Sequence, residues 1–418
     1  MKKPITLLLT LLLTIPLMAQ FSMDGQLRQR AEFRDGYRRL PSEDSNPAAN
    51  IAQRTRLGLT YAHEDRIRTR VSVQDLRIWG QEIQMQHLPS FGLYEAWVNL
   101  AFTEQLSVQA GRQELRYDNQ RLMAINDWAP RGRTHDAVVL KYSGIGQANG
   151  SLHIGGAFNQ SEDRLFETNY LLNNYKTLAW VWYNTDLTSN MNTSLHLIAD
   201  GYENPNDAEE LNQRITWSGF MTYRSGDLQI RINPAFQHGK TAGGQDIRAF
   251  YGMAEAVYPF ADWLSTTAGF ELFSGNDADD PGDYFNAFDD LYGVGHARNG
   301  FMDYFTNFPN HTLNAGLINP YIRNNIQIND RTMLSADLHL FFLQNNYVDQ
   351  GEVIDKYLGT EIDLTVNYRF NDFTRIIAGY SVMFGSESME VIKGGSKDEF
   401  AHWAFLMLRI TPTFFLNR

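Results

Sequence analysis

Three pairs of arginines stand two residues apart near the start of the chain: Arg28 and Arg30, Arg54 and Arg56, Arg68 and Arg70. An arginine stays charged at physiological pH and offers a planar fork of N–H donors that fits a carboxylate or a phosphate. A spacing of two puts both guanidinium groups on one face of a β-strand, because successive side chains point to opposite faces. The neighbours, as in Leu57-Gly58-Leu59 or Val71-Ser72-Val73, are apolar or small, so the other face is greasy. The same parity takes in Arg231 and Arg369. Arg77 joins them only if a bulge near Gln74–Asp75 shifts the register. The chemistry on offer is attraction of anions by a cationic field. The competing reading is structural: Asp24, Glu32, Asp75, Glu95, Glu361 and Asp363 are placed to pair with these arginines and brace a wall. For a single arginine the two readings balance. For the N-terminal group the field is favoured, because local bases outnumber the acids of the same parity.

Strands with one greasy and one wet face recur along the whole chain, and 18 are readable. They are Gln26–Arg34, Gln53–Tyr61, Ile67–Ile78, Gly92–Phe102, Leu106–Arg116, Asp136–Tyr142, Ser151–Phe158, Leu178–Tyr183 and Thr193–Ala199 in the first half. The second half holds Ile215–Tyr223, Leu228–Phe236, Asp246–Tyr258, Leu264–Ser274, Ala315–Ile328, Leu334–Leu343, Ile362–Phe370, Thr374–Phe384 and Trp403–Phe415. Most have about the length that a tilted membrane strand needs. Short connections such as His63–Arg66 and Asn371–Asp372 alternate with long ones such as Tyr117–His135, Gly201–Arg214 and Gly275–Asn314. That asymmetry predicts an all-β fold: a transmembrane antiparallel β-barrel with short periplasmic turns and long extracellular loops. The stretch Gly275–Ile328 is hard to parse and leaves 16 strands open. Aromatics beside the short turns, among them Tyr61, Phe102, Tyr142, Tyr258, Trp263 and Phe373, fall where an interface girdle belongs. In such a barrel an arginine on the lipid face costs roughly 2–4 kcal/mol near the midplane, so the paired arginines face the lumen.

Composition narrows the class. Lys2 and Lys3 precede an apolar run from Thr6 to Met18, which reads as a signal peptide cleaved near Ala19, leaving residues 20–418 as the barrel domain. Its loss takes the formal charge from −12 to −14. The chain has no cysteine, so it is neither a lipoprotein nor a disulfide-stapled domain. Its mean hydropathy is −0.38 although 43% of its residues are hydrophobic, as alternating strands require. There are 28 arginines against 8 lysines, and 16 of the arginines precede residue 134. Bases gathered on strands of an acidic chain argue against nucleic acid as a partner. The ten histidines are scattered, with no Gly-x-Ser-x-Gly near one, and His135 and Asp136 point to opposite faces; no enzyme site, metal or cofactor is expected. A plug domain before the first strand is not expected. The loop Asn276–Asp290 carries six aspartates, read as an acidic solvated loop rather than a Ca²⁺ site.

The segment Gly111-Arg112-Gln113-Glu114-Leu115-Arg116-Tyr117-Asp118-Asn119-Gln120-Arg121-Leu122 is the most specific, followed by Trp128 and Gly132-Arg133-Thr134-His135-Asp136-Ala137. It resembles the alginate export family of outer-membrane porins, with their GRQ-x-L-x-Y-x-x-x-RL stretch and following GR-x-x-DA. The region Phe288–Asp303 is similar to the family as well. The resemblance implies an 18-stranded barrel with an electropositive constriction for a polyanionic uronate polymer. It also implies that Arg112, Arg116, Arg121 and Arg133 lie in or beside the loop that narrows the pore. The last strand departs from the usual pattern in ending on Asn417-Arg418 rather than phenylalanine. The expectation is a monomeric barrel in the bacterial outer membrane, in contact with lipid and lipopolysaccharide, through which anionic solutes or polysaccharide diffuse. A general uptake porin without anion preference is the alternative.

Overall fold

The computed structural model describes residues 19–416 apart from 84, 86–89, 147–148, 167–169 and 171–173; the signal segment lies outside the described residues. Eighteen antiparallel strands form one closed sheet. In chain order they are β1 (Ala19–Asp35), β2 (Ala48–His63), β3 (Ile67–Ile78), β4 (Phe91–Ala101), β5 (Leu106–Gln113), β6 (His135–Ile145), β7 (Gly150–Phe158), β8 (Thr177–Thr188) and β9 (Met191–Asn204). Then come β10 (Asp207–Ser225), β11 (Leu228–Lys240), β12 (Asp246–Ala261), β13 (Leu264–Phe273), β14 (Leu317–Asn329), β15 (Thr332–Leu343), β16 (Tyr357–Asn371) and β17 (Thr374–Gly385). The last strand, β18, runs Ala401–Ile410 and resumes as Thr413–Leu416 after a break at Pro412. Each strand pairs with the next, and β18 pairs back onto β1 to close the ring.

Sequence and wall agree through parity. On β2, Leu57, Leu59 and Tyr61 are exposed outward while Arg54 and Thr60 are buried within. Tyr61, Phe102, Tyr142, Tyr258, Trp263 and Phe373 are exposed near the short-turn end. The long connections divide differently from expectation. Gly201–Arg214 is mostly strand, because β9 and β10 zip on to a tight turn beyond Asn204. β5 stops at Gln113 rather than Arg116.

The chain then turns into the lumen. Residues 114–134 form one inward loop and residues 274–316 a second, and the two pack on each other inside the barrel. Met123, Phe288, Phe305 and Phe308 are all but inaccessible there, and Phe308 stacks on the wall residue Phe273 at 3.8 Å. Burial of an aromatic or methionine side chain contributes about 1.5–3 kcal/mol, so the barrel is braced by an apolar core of its own rather than left as an open tube. A seven-residue helix, α1 (Glu387–Lys393), covers the last long connection, capped by the Ser386 side chain on the Met389 N–H.

Candidate functional site

Hydrogen-bond register turns isolated arginines into a row. Arg369 pairs with Arg375, Arg375 with Arg409, Arg409 with Arg28, and Arg28 with Arg54, one on each of five neighbouring strands from β16 to β2. Directly paired residues share a face, so all five point into the lumen. The row begins beside the short turn after Asn371 and ends against the inward loop 114–134. Arg369 and Arg375 are exposed, Arg409 is partly covered, and Arg28 and Arg54 are buried. Like charges placed opposite one another destabilise a sheet, so the row needs compensation.

Part of it comes from the loop. Arg28 donates to the carbonyls of Asp127 and Ala129, and Arg30 to that of Trp128 at 2.9 Å while lying 3.8 Å over its ring. Arg54 donates to Asp127 Oδ1 at 2.5 Å. Arg56 donates to the Arg131 carbonyl at 2.8 Å and covers the Tyr94 ring at 3.5 Å. Arg409 approaches Asp127 Oδ2 at 3.4 Å. Burial raises the Asp127 carboxyl, but Arg54 and Arg409 more than offset it and hold it below its ordinary value. The inner end of the row is thereby an anchor for the loop, and its outer end faces open lumen.

The other expected residues separate. Arg70 bridges Asp24 at 2.7 Å and Glu95 at 2.8 Å, and Arg231 reaches Glu255 at 3.2 Å. Arg68 has lumen parity, opposite Ala62 on β2. Arg77 does not turn inward: β2 and β3 pair without a break, so it keeps the outward parity and binds Asp75 at 2.7 Å. The bulge lies instead on β4, where register shifts at Ser72/Val73 and Tyr94 is the extra residue. Arg112 also faces outward, paired with Ala96 and with Asp136 at 2.7 Å, because β5 is still in the wall at that residue. Arg121 is sealed in the core, joined to Glu271 and Asn299. Arg133 ties the first loop to the second through the carbonyls of Tyr292 and Gly293. Arg116 is more than half exposed, 4.0 Å from Glu114. Sequence reasoning missed Arg375, Arg409 and Asp127. The first two carry the correct parity on their strands and were legible in principle; Asp127 belongs to a loop with no periodicity.

Two cavities flank the row on the β2–β5 side. One, of about 650 Å³, is lined by Gln74, Tyr94, Arg131, Arg133 and Tyr292 toward the long-loop end. The other, of about 330 Å³, is lined by Asp24, Arg56, Arg70 and Glu95 toward the short-turn end. Tyr94 lines both. Between them Gly132 has φ +74, and a Cβ there would fall 2.8 Å from the Arg56 guanidinium and 2.9 Å from the Tyr94 hydroxyl. Glycine permits this close approach of the loop to Arg56 and Tyr94.

The family model for alginate export matches residues 19–390. The chain belongs to the alginate export family. Solved structures place this family member among outer-membrane porin barrels. It is similar to OpdL of Pseudomonas aeruginosa, with TM-score 0.65 and 13% identity over 94% of this chain and 99% of that one. It is also similar to OccAB4 of Acinetobacter baumannii, with TM-score 0.63 and 12% identity over 95% and 98%. The outer membrane protein OpdK of Pseudomonas aeruginosa follows, with TM-score 0.62 and 10% identity over 95% and 99%. A search of curated proteins finds no match. At these identities the structural likeness is one of fold. Family and fold together make this chain an outer-membrane channel protein of 18 strands.

Proposed function

We propose that this barrel is a monomeric channel for anionic solutes, sugar acids of the uronate type among them, moving down their gradient. The arginine row from Arg369 to Arg54 carries the reading. Five like charges on adjacent strands oppose stability, yet Arg369 and Arg375 stand exposed at the lumen rim. A wall built only for bracing would alternate signs there. Basic side chains ringing a passage favour anions over cations, and Arg56, Arg68 and Arg116 extend the same field around the lumen, whereas Arg70 and Arg231 are offset by their carboxylate partners. The inner arginines serve it indirectly, by fixing the inward loop within the lumen. Lipid and lipopolysaccharide surround the apolar outer face.

Reversal potential in a salt gradient across a planar bilayer tests the reading. The expected wild-type preference is for chloride, with the permeability ratio falling at least twofold in Arg375→Gln/Arg409→Gln. A cation preference, or a ratio near one, would mark a general uptake porin instead.

A further inference from the structure

We propose that the outward face of β10–β12 at the long-loop end is a binding site for a phosphorylated lipid of the outer leaflet. The acyl chain lies in an apolar groove of the wall, and the phosphate meets Arg248, Lys240 and His238 just beyond it. The inference concerns the lipid-facing side of the barrel and is independent of what the lumen carries. Outward side chains of β12 are apolar from Tyr258 through Phe250, and the first charge is Arg248. Outward side chains of β11 are apolar from Ile230 through Phe236, and His238 and Lys240 follow. The two limits coincide, because Phe236 pairs with Phe250, His238 with Arg248 and Lys240 with Asp246. The patch therefore stands where the membrane's apolar band gives way to headgroups.

Next to that level the wall has a groove of about 620 Å³, lined by Val181, Leu195, Leu197, Trp217, Pro234 and Phe236. Its floor is a lapse in the sheet. Pairing of β10 with β11 runs to Ser218↔Ala235 and resumes at Met221↔Ile232. Pro234 has no N–H to give, and the Asn233 side chain donates to the Gly219 carbonyl at 2.7 Å in compensation. Glycine faces outward on both sides of Pro234, Gly219 on β10 and Gly252 on β12. A Cβ at Gly252 would meet no atom within 4 Å. Bulky apolar side chains around a floor that lacks them form a slot for a hydrocarbon chain.

His238 joins the groove to the cations. Its ring stacks on Phe236 at 6.0 Å, and its Nε2 accepts the Trp217 indole N–H at 3.1 Å. A neutral histidine that accepts at Nε2 carries its proton at Nδ1 and can donate from there. Lys240 is exposed, and so is Arg248, which lies 4.8 Å over the Tyr284 ring. Other outward arginines of the wall have carboxylates of their own: Arg77 binds Asp75 and Arg112 binds Asp136, each at 2.7 Å. Among the described residues Arg248 and Lys240 have no such ion pair. Asp246, opposite Lys240, offsets one of the two charges at most. Unspent cations beside an apolar slot complement an amphiphile whose phosphate accepts charge-assisted hydrogen bonds. Free phosphate would meet the cations without the groove.

Native mass spectrometry of the full-length protein, released from detergent micelles with bis-phosphorylated lipid A added, reads the site. The wild type is expected to retain one lipid A at a concentration at least tenfold below that needed by Arg248→Gln/Lys240→Gln. A Cβ at Gly219 comes no closer than 3.8 Å to any neighbour, so Gly219→Leu fills the groove from its floor without a clash. It is expected to weaken retention at least threefold. Arg112→Gln/Asp136→Asn, which alters an outward pair elsewhere, is expected to retain lipid A as the wild type does. Equal retention by the wild type and Arg248→Gln/Lys240→Gln overturns the proposal, and so does an equal loss in Arg112→Gln/Asp136→Asn. Displacement of lipid A by the same concentration of inorganic phosphate overturns it as well, since the groove would then add nothing. A folded Gly219→Leu barrel with unchanged retention has the same force. If Gly219→Leu does not fold, judged by heat-modifiable electrophoretic mobility, the charge variant and the phosphate competition decide. Anion preference is read separately by the reversal potential and stands or falls on its own.

Discussion

Arg28 and Arg54 are direct cross-strand partners on β1 and β2, and both guanidinium groups end on the same loop residue, Asp127. Two buried cations side by side would repel, yet here each donates to the loop, and the Asp127 carboxylate supplies the counter-charge. The wall holds the loop, and the loop makes the wall's charge tolerable.

Asp127→Asn tests that exchange. It leaves Arg54, Arg56 and Arg409 without their shared carboxylate and costs about 2 kcal/mol in hydrogen bonds to charged groups. It also strips a negative charge from the arginine row. Thermal unfolding in detergent micelles is expected at lower temperature, while the reversal potential shifts toward stronger anion preference. A shift toward cations would contradict the assignment of Asp127 as counter-charge.

Arg121 has a different role from the row. With Arg121→Met the Glu271 carboxylate stays buried without its partner, a loss of about 3–5 kcal/mol. Removing both charges in Arg121→Met/Glu271→Met recovers most of it. Melting curves of the two variants measure the difference, and the reversal potential of the double variant stays at the wild-type value.

Asp290 lies in the second inward loop, accepting the Phe308 N–H, with Arg121, Arg133 and Asp289 around it. Burial pushes its carboxyl up to about 7. A raised folded value means that the folded state holds the proton more tightly than the unfolded one. Its contribution is therefore fully present below the ordinary aspartate range and is lost as pH rises toward 7. Melting temperature is expected to fall across pH 4–7 in the wild type and to fall less in Asp290→Asn, which stays neutral throughout. Parallel curves would show that Asp290 is not the group responsible.

Gly293 packs directly against the backbone of the first inward loop. A Cβ there would fall 1.9 Å from the Arg121 carbonyl oxygen, a backbone atom that cannot swing aside. Gly293→Ala is expected to cost about 1–3 kcal/mol, as overpacking does. Limited trypsin digestion should then cut within residues 114–134, after Arg116, Arg121 or Arg131, sooner than in the wild type.

Much of the wall was legible because a strand's period of two leaves little freedom. Arg54 and Arg56 inside, with Leu57 and Leu59 outside, follow from sequence alone. Asp24, Glu32 and Glu95 were named as partners and do bind arginines. What escaped depends on which residues stand opposite one another. The row from Arg369 to Arg54 needs the register of four strand pairs, which each hairpin's turn decides. The end of β5 escaped for another reason. Leu115 and Tyr117 continue the alternation with the parity of Gln113, so the pattern does not break where the wall does. The clue was their type: apolar side chains on the lumen parity need protein rather than water beside them. Arg77 failed because the expected bulge near Gln74–Asp75 is absent from the unbroken β2–β3 register, and Arg112 because a motif's position in a chain says nothing of parity, which the β5–β6 register fixes.

The seam that seals the ring joins the two ends of the chain, with Leu27 opposite Ile410 and the Trp403 indole donating to Glu32 across 371 residues. Every other pairing of the wall can form as the chain is delivered, hairpin by hairpin. This one cannot exist until the final strand arrives. Closing so long a loop has a high entropic cost, and contacts so distant in sequence form late. Until then the growing sheet has two bare edges, each able to bond to any strand it meets. A translation product cut short before residue 401 would keep the hairpins and the arginines but have no last strand to seal its edges. It would be a ribbon hungry for partners, and the cell must chaperone the chain or degrade it throughout that interval.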